Sequence, residues 1–315
     1  MDPLGQFLDR GRARQAFLLR VTMQPPWSMS IEDRAPLTVV AMTSGTGVLR
    51  LPGRPPLALP AGSVAVINTA EPYVVAHTAM QEPSVVIGPG GHCSGPGGHD
   101  LAGSHSALRT WGNDPHGRDV MVVGSYPFGS AAGALLTDAL PPVILVRVAD
   151  TRIVELLVAE IDRDDVAQAV VLDRLLDLLL VTTLRQWHGS ADAQRATWLN
   201  GSRDPVLKTV ISAMHSAPEH PWSVAELAGL ARCSRASLAA RFTDRIGSPP
   251  MAYLSRWRLG LAAELLGEGD LTLAAIAGRV GYRTPFSLSA AFKKEFGVSP
   301  RYYREQVRDE AASMI

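Results

Sequence analysis

Between residues 17 and 90 the chain alternates short apolar, β-branched bursts with proline and glycine. The bursts fall at 17–23, 37–42, 47–51, 63–67, 73–76 and 84–87. Breaks come at Pro25-Pro26, Gly45, Pro52-Gly53, Pro55-Pro56, Pro60, Gly62 and Pro72. Closely spaced short strands with such turns predict a β-sandwich or barrel. One more strand is predicted over 120–126, after a long loop.

The period then changes to that of helices, over about 151–188. Asp150 and Thr151 can cap a helix running to Ile161, and Asp164-Asp165 open a second that runs to about Trp187. In the second, Leu172, Leu175, Leu176, Leu179, Leu180 and Leu184 recur at helical spacing, with Asp173, Arg174 and Asp177 on the polar side. Such a stripe either packs on the β-domain or meets a second copy of the chain. A barrel too small to cover two long helices favours the second, so a homodimer through these leucines is expected. Residues 189–202 read as a linker.

Beyond the linker the same two-helix pattern occurs twice, from Trp222 to Phe242 and from Leu271 to Phe292. Asp204-Pro205 starts a preceding helix that runs to about His215. Ser223 and Glu226 have the spacing of a capping box. The helix they open continues to Ala231, Cys233 sits in the break, and Ser234 caps the next helix. In the second copy Thr272 caps a helix whose apolar face carries Leu273, Ile276, Ala277 and Val280. Gly281-Tyr282 makes the turn, and Thr284-Pro285 caps and opens the following helix. This is the pattern of a helix-turn-helix, whose second helix enters the DNA major groove. Two copies predict a protein that reads two successive grooves.

The intervening segment 250–266 is expected to be an amphipathic helix, through Arg256, Trp257, Leu259 and Leu266. Its length is roughly 25 Å at 1.5 Å per residue. Successive major grooves on one DNA face lie ~34 Å apart, so such a helix plus the offset of the recognition helices can bridge them.

Candidate base readers follow from the residue types. Arg235, Ser237 and Arg241 lie on the first recognition helix; Arg283, Thr284 and Ser287 lie on or just before the second. Arginine can pair bidentately with guanine, and small hydroxyl side chains can meet any base edge. Pro285, Leu288 and Ala291 are expected on the same face, with Phe286, Phe292 and Phe296 toward the core. Lys293, Lys294, Arg301 and Arg304 are placed for phosphates, which supply affinity and salt dependence without sequence information.

Charge agrees with this division. The net charge is zero, but residues 1–199 carry 15 Arg against 19 acidic residues, or −4. Residues 200–315 carry 12 Arg and 3 Lys against 11 acidic residues, or +4. A basic C-terminal part fits nucleic-acid binding by that part alone. A hydrophobic content of 46% with 19% charged residues excludes a highly charged disordered chain. No apolar run reaches the ~18 residues of a membrane span. The longest, around 166–181, is interrupted by Asp173, Arg174 and Asp177. The start lacks the layout of a signal peptide. The two cysteines, Cys93 and Cys233, lie far apart, so no structural disulfide is expected and the cytoplasm is the expected compartment.

One segment stands outside this scheme. Residues 88–117 are rich in Gly and Pro and hold His92, Cys93, His99, His105, Asp114 and His116. Thiolate and imidazole together suit zinc or another transition metal, which makes His92, Cys93 and His99 candidate ligands. Their spacing is not that of a structural zinc site, and a solvated loop is the other reading. Cys93 is also a candidate oxidation sensor, while Cys233 is expected to be a small buried residue.

The C-terminal third resembles the AraC/XylS family of transcriptional regulators. The carrying residues are Trp222-Ser-Val-Ala-Glu-Leu-Ala, Ser234-Arg-Ala-Ser-Leu-Ala-Ala-Arg-Phe, Gly247-Ser-Pro-Pro-Met-Ala-Tyr-Leu, Arg256-Trp-Arg-Leu, Ile276-Ala-Gly-Arg-Val-Gly-Tyr and Phe292-Lys-Lys-Glu-Phe-Gly-Val-Ser-Pro-Arg-Tyr-Tyr. Leu59-Pro-Ala-Gly-Ser63 resembles the turn that opens a cupin strand, with Ser63 in place of the usual Asp. No His precedes His77, and Tyr73 follows Pro72 where a metal-binding cupin has His. The resemblance therefore implies a cupin shell without the family's catalytic metal, used as a sensor domain.

The expected fold is α+β with two domains. Residues 1–188 would form a cupin-like β-barrel with a helical dimerisation segment. Residues 203–308 would form an all-α domain with two helix-turn-helix motifs, and 309–315 a tail. The expected function is sequence-specific transcription control, and not catalysis. Expected partners are double-stranded promoter DNA, a second copy of the chain, RNA polymerase, and a small-molecule, metal or redox effector. A metal-dependent cupin enzyme with an accessory DNA-binding tail is the alternative.

Overall fold

The computed structural model describes residues 17–95, 105–107, 109–126, 137, 140–148, 150–190, 204–267, 269 and 271–313. The chain divides into two compact units. The N-terminal one holds the described residues within 17–126 and 140–190, the C-terminal one those within 204–313. The expected linker 189–202 lies, beyond Ser190, outside the described residues. No described helix is long and apolar enough to cross a membrane.

The N-terminal unit contains β1 (Phe17–Met23), β2 (Ser28–Ile31), β3 (Leu37–Ser44), β4 (Thr46–Arg50), β5 (Leu57–Pro60), β6 (Ser63–Ile67) and β7 (Tyr73–Ala76). It continues with β8 (Val85–Ile87), β9 (Cys93–Ser94), β10 (His105–Ala107), β11 (Thr110–Gly112), β12 (Asp119–Tyr126) and β13 (Val143–Arg147). They form two sheets, ordered β10-β11-β1-β12-β3-β6-β13 and β5-β4-β7-β2-β8-β9. Pairing is antiparallel except for β1 with β11 and β2 with β8. The region around 88–117, expected as a loop, thus contributes three short strands.

Alternation fixes which side chains meet. Val21 and Met23 of β1, Val40 and Met42 of β3, Ala65 and Ile67 of β6, and Met121 of β12 belong to the core, with Trp27, Met29, Leu49, Leu59, Tyr73 and Val75. The odd-register partners Leu18, Val39, Ala41, Val64, Val66 and Val122 face the other way and are nonetheless buried. The first sheet is therefore apolar on both faces, which is why residues 39–42 of β3 and 64–67 of β6 read as unbroken apolar runs.

Two helices cover that second face: α1 (Arg152–Ile161) and α2 (Gln168–His188). They pack on each other, α1 against β1 and β12, and α2 against β13. At Gly124 of β12 a Cβ would come within 2.5 Å of Leu176 Cδ1, so the helix lies directly on the strand. Leu172, Leu176, Leu179, Leu180 and Leu184 are buried here. This corrects the expectation that the leucine stripe meets a second chain. The stripe packs on its own sheet, whose outer face supplies the apolar surface that the dimer argument assumed missing. Left exposed are Leu156 of α1 and Val170, Val171 and Leu178 of α2. α2 also starts later than expected, at Gln168, after Ala167 adopts a left-handed backbone.

The C-terminal unit is helical throughout its described residues: α3 (Pro205–Ser216), α4 (Val224–Leu230), α5 (Arg235–Ile246), α6 (Pro250–Gly267), α7 (Leu273–Arg279), α8 (Pro285–Phe296) and α9 (Pro300–Ser313). Side-chain caps set the starts. Asp204 accepts from the Val206 and Leu207 amides, Ser223 from Glu226, Ser234 from Ser237, Thr272 from Ala275, and Thr284 from Ser287. Ser223 makes only half of the expected capping box, because Glu226 pairs with His220 Nε2 at 2.7 Å instead of reaching back. The full box is at Thr284, closed by Ser287.

α6 is not the amphipathic spacer expected. Leu259, Gly260, Leu261, Ala262, Ala263 and Leu266 are all buried, as are Tyr253, Leu254 and Trp257. It packs against α5 on one side and α7, α8 and α9 on the other, and so forms the shared core of both halves.

Candidate nucleic-acid interface

The two halves repeat each other closely. α4 and α7 each end in a left-handed residue, Arg232 (φ +52°) and Gly281 (φ +82°). The next amide folds back in both: Cys233 N donates to Ala228 O at 3.0 Å and Tyr282 N to Ala277 O at 2.8 Å. A cap and a recognition helix follow, α5 after Ser234 and α8 after Thr284. From the cap onward the copies match at an offset of 50, with Leu238 and Leu288, Phe242 and Phe292, and Gly247 and Gly297 in equivalent places. The turn helices match at 49 (Leu227 with Ile276, Ala228 with Ala277), so the second turn holds one extra residue, Arg283.

α6 ties the two motifs together. Arg258 donates from Nε to Pro218 O and from NH2 to His220 O, both at 2.7 Å. Its half-buried guanidinium has a lowered pKa because burial removes water, partly offset by the Tyr282 phenol and Glu219. A Cβ on Gly281 would come within 2.7 Å of Pro218 O and 2.8 Å of this guanidinium. One arginine thus joins the approach to α4 with the turn before α8. In the first half, His215 Nε2 and Tyr253 OH lie 2.8 Å apart, and His215 stacks on Trp257 with ring centres 3.8 Å apart. Burial pushes the Tyr253 phenol well above its ordinary pKa.

The expected base readers separate into two groups. Arg235 and Arg283 are exposed and have no ion pair among the described residues. Arg241 is exposed but pairs with Asp204 Oδ2 at 2.9 Å, which ties α5 to the cap of α3. Thr284 and Ser287 hold each other: Ser287 N donates to Thr284 Oγ1 at 3.1 Å, and Ser287 Oγ to Thr284 O at 2.8 Å. Ser237 is half-buried, and its amide donates to the Ser234 cap. Among the expected phosphate contacts, Lys293 and Lys294 are exposed. Arg301 is exposed and pairs with Glu305 at 2.9 Å. Arg304 is drawn back, its NH2 donating to Leu271 O at 2.7 Å, where it anchors the chain entering α7.

Two expected places are exchanged on α8. Leu288 is 0% exposed, and Phe286, expected in the core, is 84% exposed. Two residues correspond to about 200° around a helix, so only one of the pair can join Phe292 inside. The repeat itself carried the missing signal, because Leu288 falls on Leu238, which lies inward, and Phe286 falls on Ala236, which is exposed.

In the N-terminal unit, Asp119 is fully buried. It accepts from Trp27 Nε1 at 2.8 Å and from the Thr46 amide at 3.2 Å, with His77 Nδ1 at 3.3 Å and Arg118 Nε at 3.7 Å. A Cβ on Gly45 would come within 2.0 Å of Asp119 Oδ1, so this carboxylate fixes the left-handed β3–β4 turn as well. Sequence reading passed Asp119 over, because its hydrogen-bond donors Trp27 and Thr46 lie 92 and 73 residues away along the chain. Of the candidate metal ligands, His92 is exposed, whereas Cys93 is buried with Sγ donating to Gly91 O at 3.4 Å. His99 lies outside the described residues. Among the described residues no three His, Cys, Asp or Glu side chains gather as a metal site. Cys93 and Cys233 are both thiols, and Cys233, expected to be buried, is half-exposed.

Comparison with known proteins bears on the whole chain. Residues 2–189 match the Cupin family model and residues 227–306 match a Helix-turn-helix domain model. An AraC-like transcription regulator of Streptomyces antibioticus is 31% identical over 97% of this chain and 99% of its own length. The chain belongs to the AraC-like transcription regulators. A second such regulator, of Streptomyces lividans, is 40% identical over 60% of this chain and 64% of its own length. Among solved structures, the DNA-binding domain of AdpA in complex with a target DNA is 33% identical over 34% of this chain and 95% of that one, with a TM-score of 0.32. ToxT from Vibrio cholerae covers 93% of this chain and 97% of that one at 12% identity and a TM-score of 0.39. This AraC-like chain is thus a DNA-binding transcriptional regulator with an N-terminal cupin domain and a C-terminal helix-turn-helix domain.

Proposed function

We propose that α5 and α8 enter two successive major grooves of promoter DNA, with Arg235 and Arg283 reading base edges. The observation that carries this is the duplicated, equally capped motif around α6. α6 has 18 residues, roughly 27 Å, and its core position fixes the spacing of the two recognition helices. Arg235 stands on the first turn of α5, the part of a recognition helix that meets bases. Arg283 occupies the extra residue of the second turn. Lys293 and Lys294 flank the second groove contact and neutralise phosphates. Arg241, Thr284 and Ser287 hold the recognition helices in place, which is an indirect contribution to readout.

Arg235→Ala is expected to relax preference at one base position and to weaken the preferred duplex by ~1–3 kcal/mol. Competition titrations against duplexes substituted position by position check this. An equal loss on every sequence would make Arg235 a phosphate contact instead.

The N-terminal unit, in this reading, serves regulation in the cytoplasm and not turnover. It binds an effector and pairs with a second copy through Leu156, Val170, Val171 and Leu178. Three of these lie on one stripe of α2, at 170, 171 and 178, opposite the leucines that pack on the sheet. RNA polymerase is the further partner through which promoter binding would act on transcription.

A further inference from the structure

We propose that Phe286 is a specificity-determining residue of the second helix-turn-helix, whose ring reads the 5-methyl group of thymine in the major groove. This rests on the reading of α8 as a recognition helix. Phe286 is the most exposed aromatic side chain among the described residues. The fold does not require it. Leu288 and Phe292 fill the core beneath α8, and the first motif reaches the same packing with Ala236 at the equivalent place. A ring in water forgoes the stabilisation that burial gives a phenylalanine, so its natural state is a contact outside the chain.

The surroundings point to DNA as that contact. Phe286 lies on the same helical stripe as Ala290, Lys293 and Lys294, at spacings of four, seven and eight, and all are exposed. Two apolar residues thus lead a stripe that ends in two cations. Bases at the floor of a groove and phosphates along its edge match that order. The thymine methyl is the apolar group that base pairs present in the major groove, and apolar side chains distinguish thymine by it. The Thr284 and Ser287 hydroxyls are already engaged, since they close the capping box. The second motif is left with Arg283 and Phe286 as its outward readers, where the first has Arg235.

The test uses full-length protein and duplex DNA selected by it from a random-sequence library. Each thymine of the selected duplex is replaced singly by deoxyuridine, which removes only the methyl group. Binding is titrated for the parent chain, Phe286→Ala and Phe286→Leu. At one or two thymines the parent is expected to lose about fourfold in affinity, the equivalent of one buried methyl-sized group. Phe286→Ala is expected to bind the thymine and deoxyuridine duplexes equally, and Phe286→Leu to restore part of the discrimination. Thermal melting of both variants should match the parent, because the side chain is outside the core. Indifference of the parent to every deoxyuridine would overturn the proposal. So would an Ala variant that keeps the same thymine preference, or one that weakens equally on all duplexes, as expected of a ring that meets the sugar-phosphate backbone. Failure to select any sequence would instead remove the DNA-reading proposal on which this one stands.

Discussion

Asp119 lies at the point where β12 meets the turn between β3 and β4, with no exposed surface of its own. A buried carboxylate persists only where donors surround it, and the Trp27 indole and the Thr46 amide supply two. Asp119→Ala removes the acceptor and leaves the indole N–H in an apolar core. The expected loss is ~1–3 kcal/mol of N-terminal stability. Denaturant titration followed by tryptophan fluorescence measures it, and an unchanged midpoint would show that His77 or solvent takes over the indole. The same logic governs the residues expected to read bases. Hydroxyls and guanidiniums on a recognition helix look alike in sequence, whether they face DNA or the protein. Arg241 is committed by an aspartate 37 residues earlier in the chain, Arg304 by the carbonyl of Leu271, and Thr284 and Ser287 by each other. The sequence shows these side chains only as polar positions on or beside the helix-turn-helix motifs. Which of them are spent on internal partners depended on the fold.

At the scale of the element, α2 shows how one periodicity serves two surfaces. Its leucines satisfy the outer face of a sheet that is apolar on both sides. Its valines and Leu178 then remain as a second, thinner apolar row. Val170→Glu together with Leu178→Glu is expected to convert a dimer to a monomer without lowering the melting temperature, because both sites are exposed. Light scattering across a concentration series reads the first effect and calorimetry the second. A dimer that survives both charges would place the contact elsewhere. α6 makes the complementary point. A helix read as amphipathic is buried over most of its circumference, because helices from two motifs pack against it. Small residues at Gly260, Ala262 and Ala263 let those neighbours approach. Gly281 performs a related service in the turn before α8: its left-handed backbone favours glycine, and the space beside Pro218 O and Arg258 does not admit a Cβ, whereas the equivalent left-handed position of the first motif is Arg232.

For the molecule as a whole, the division of charge becomes a division of labour. In the proposed reading the basic C-terminal part supplies the phosphate contacts, with exposed Lys293 and Lys294 foremost among them. Replacing both by alanine is expected to weaken binding to all duplexes and to leave the preferred sequence unchanged. The slope of log K against log salt should shrink by about 0.9 for each lysine that meets a phosphate. Titrations across a salt series check this, and an unaltered slope would move the phosphate contacts to other residues.

The sequence by itself determined the class of each part. Period-two bursts with Pro and Gly breaks set the sheets, period 3.6 set the helices, and in the C-terminal unit capping residues set the helix starts, because these signals act between near neighbours. The duplicated motif determined the DNA-binding reading for the same reason. Only the tertiary structure decided which face of each helix was inside and which polar atoms were left over. The leucines of α2 found a sheet, Leu288 displaced Phe286 from the core, and Asp119 met the indole of Trp27 and the amide of Thr46. Each outcome depends on surfaces supplied by distant segments, and their three-dimensional proximity is the one quantity that local periodicity does not encode.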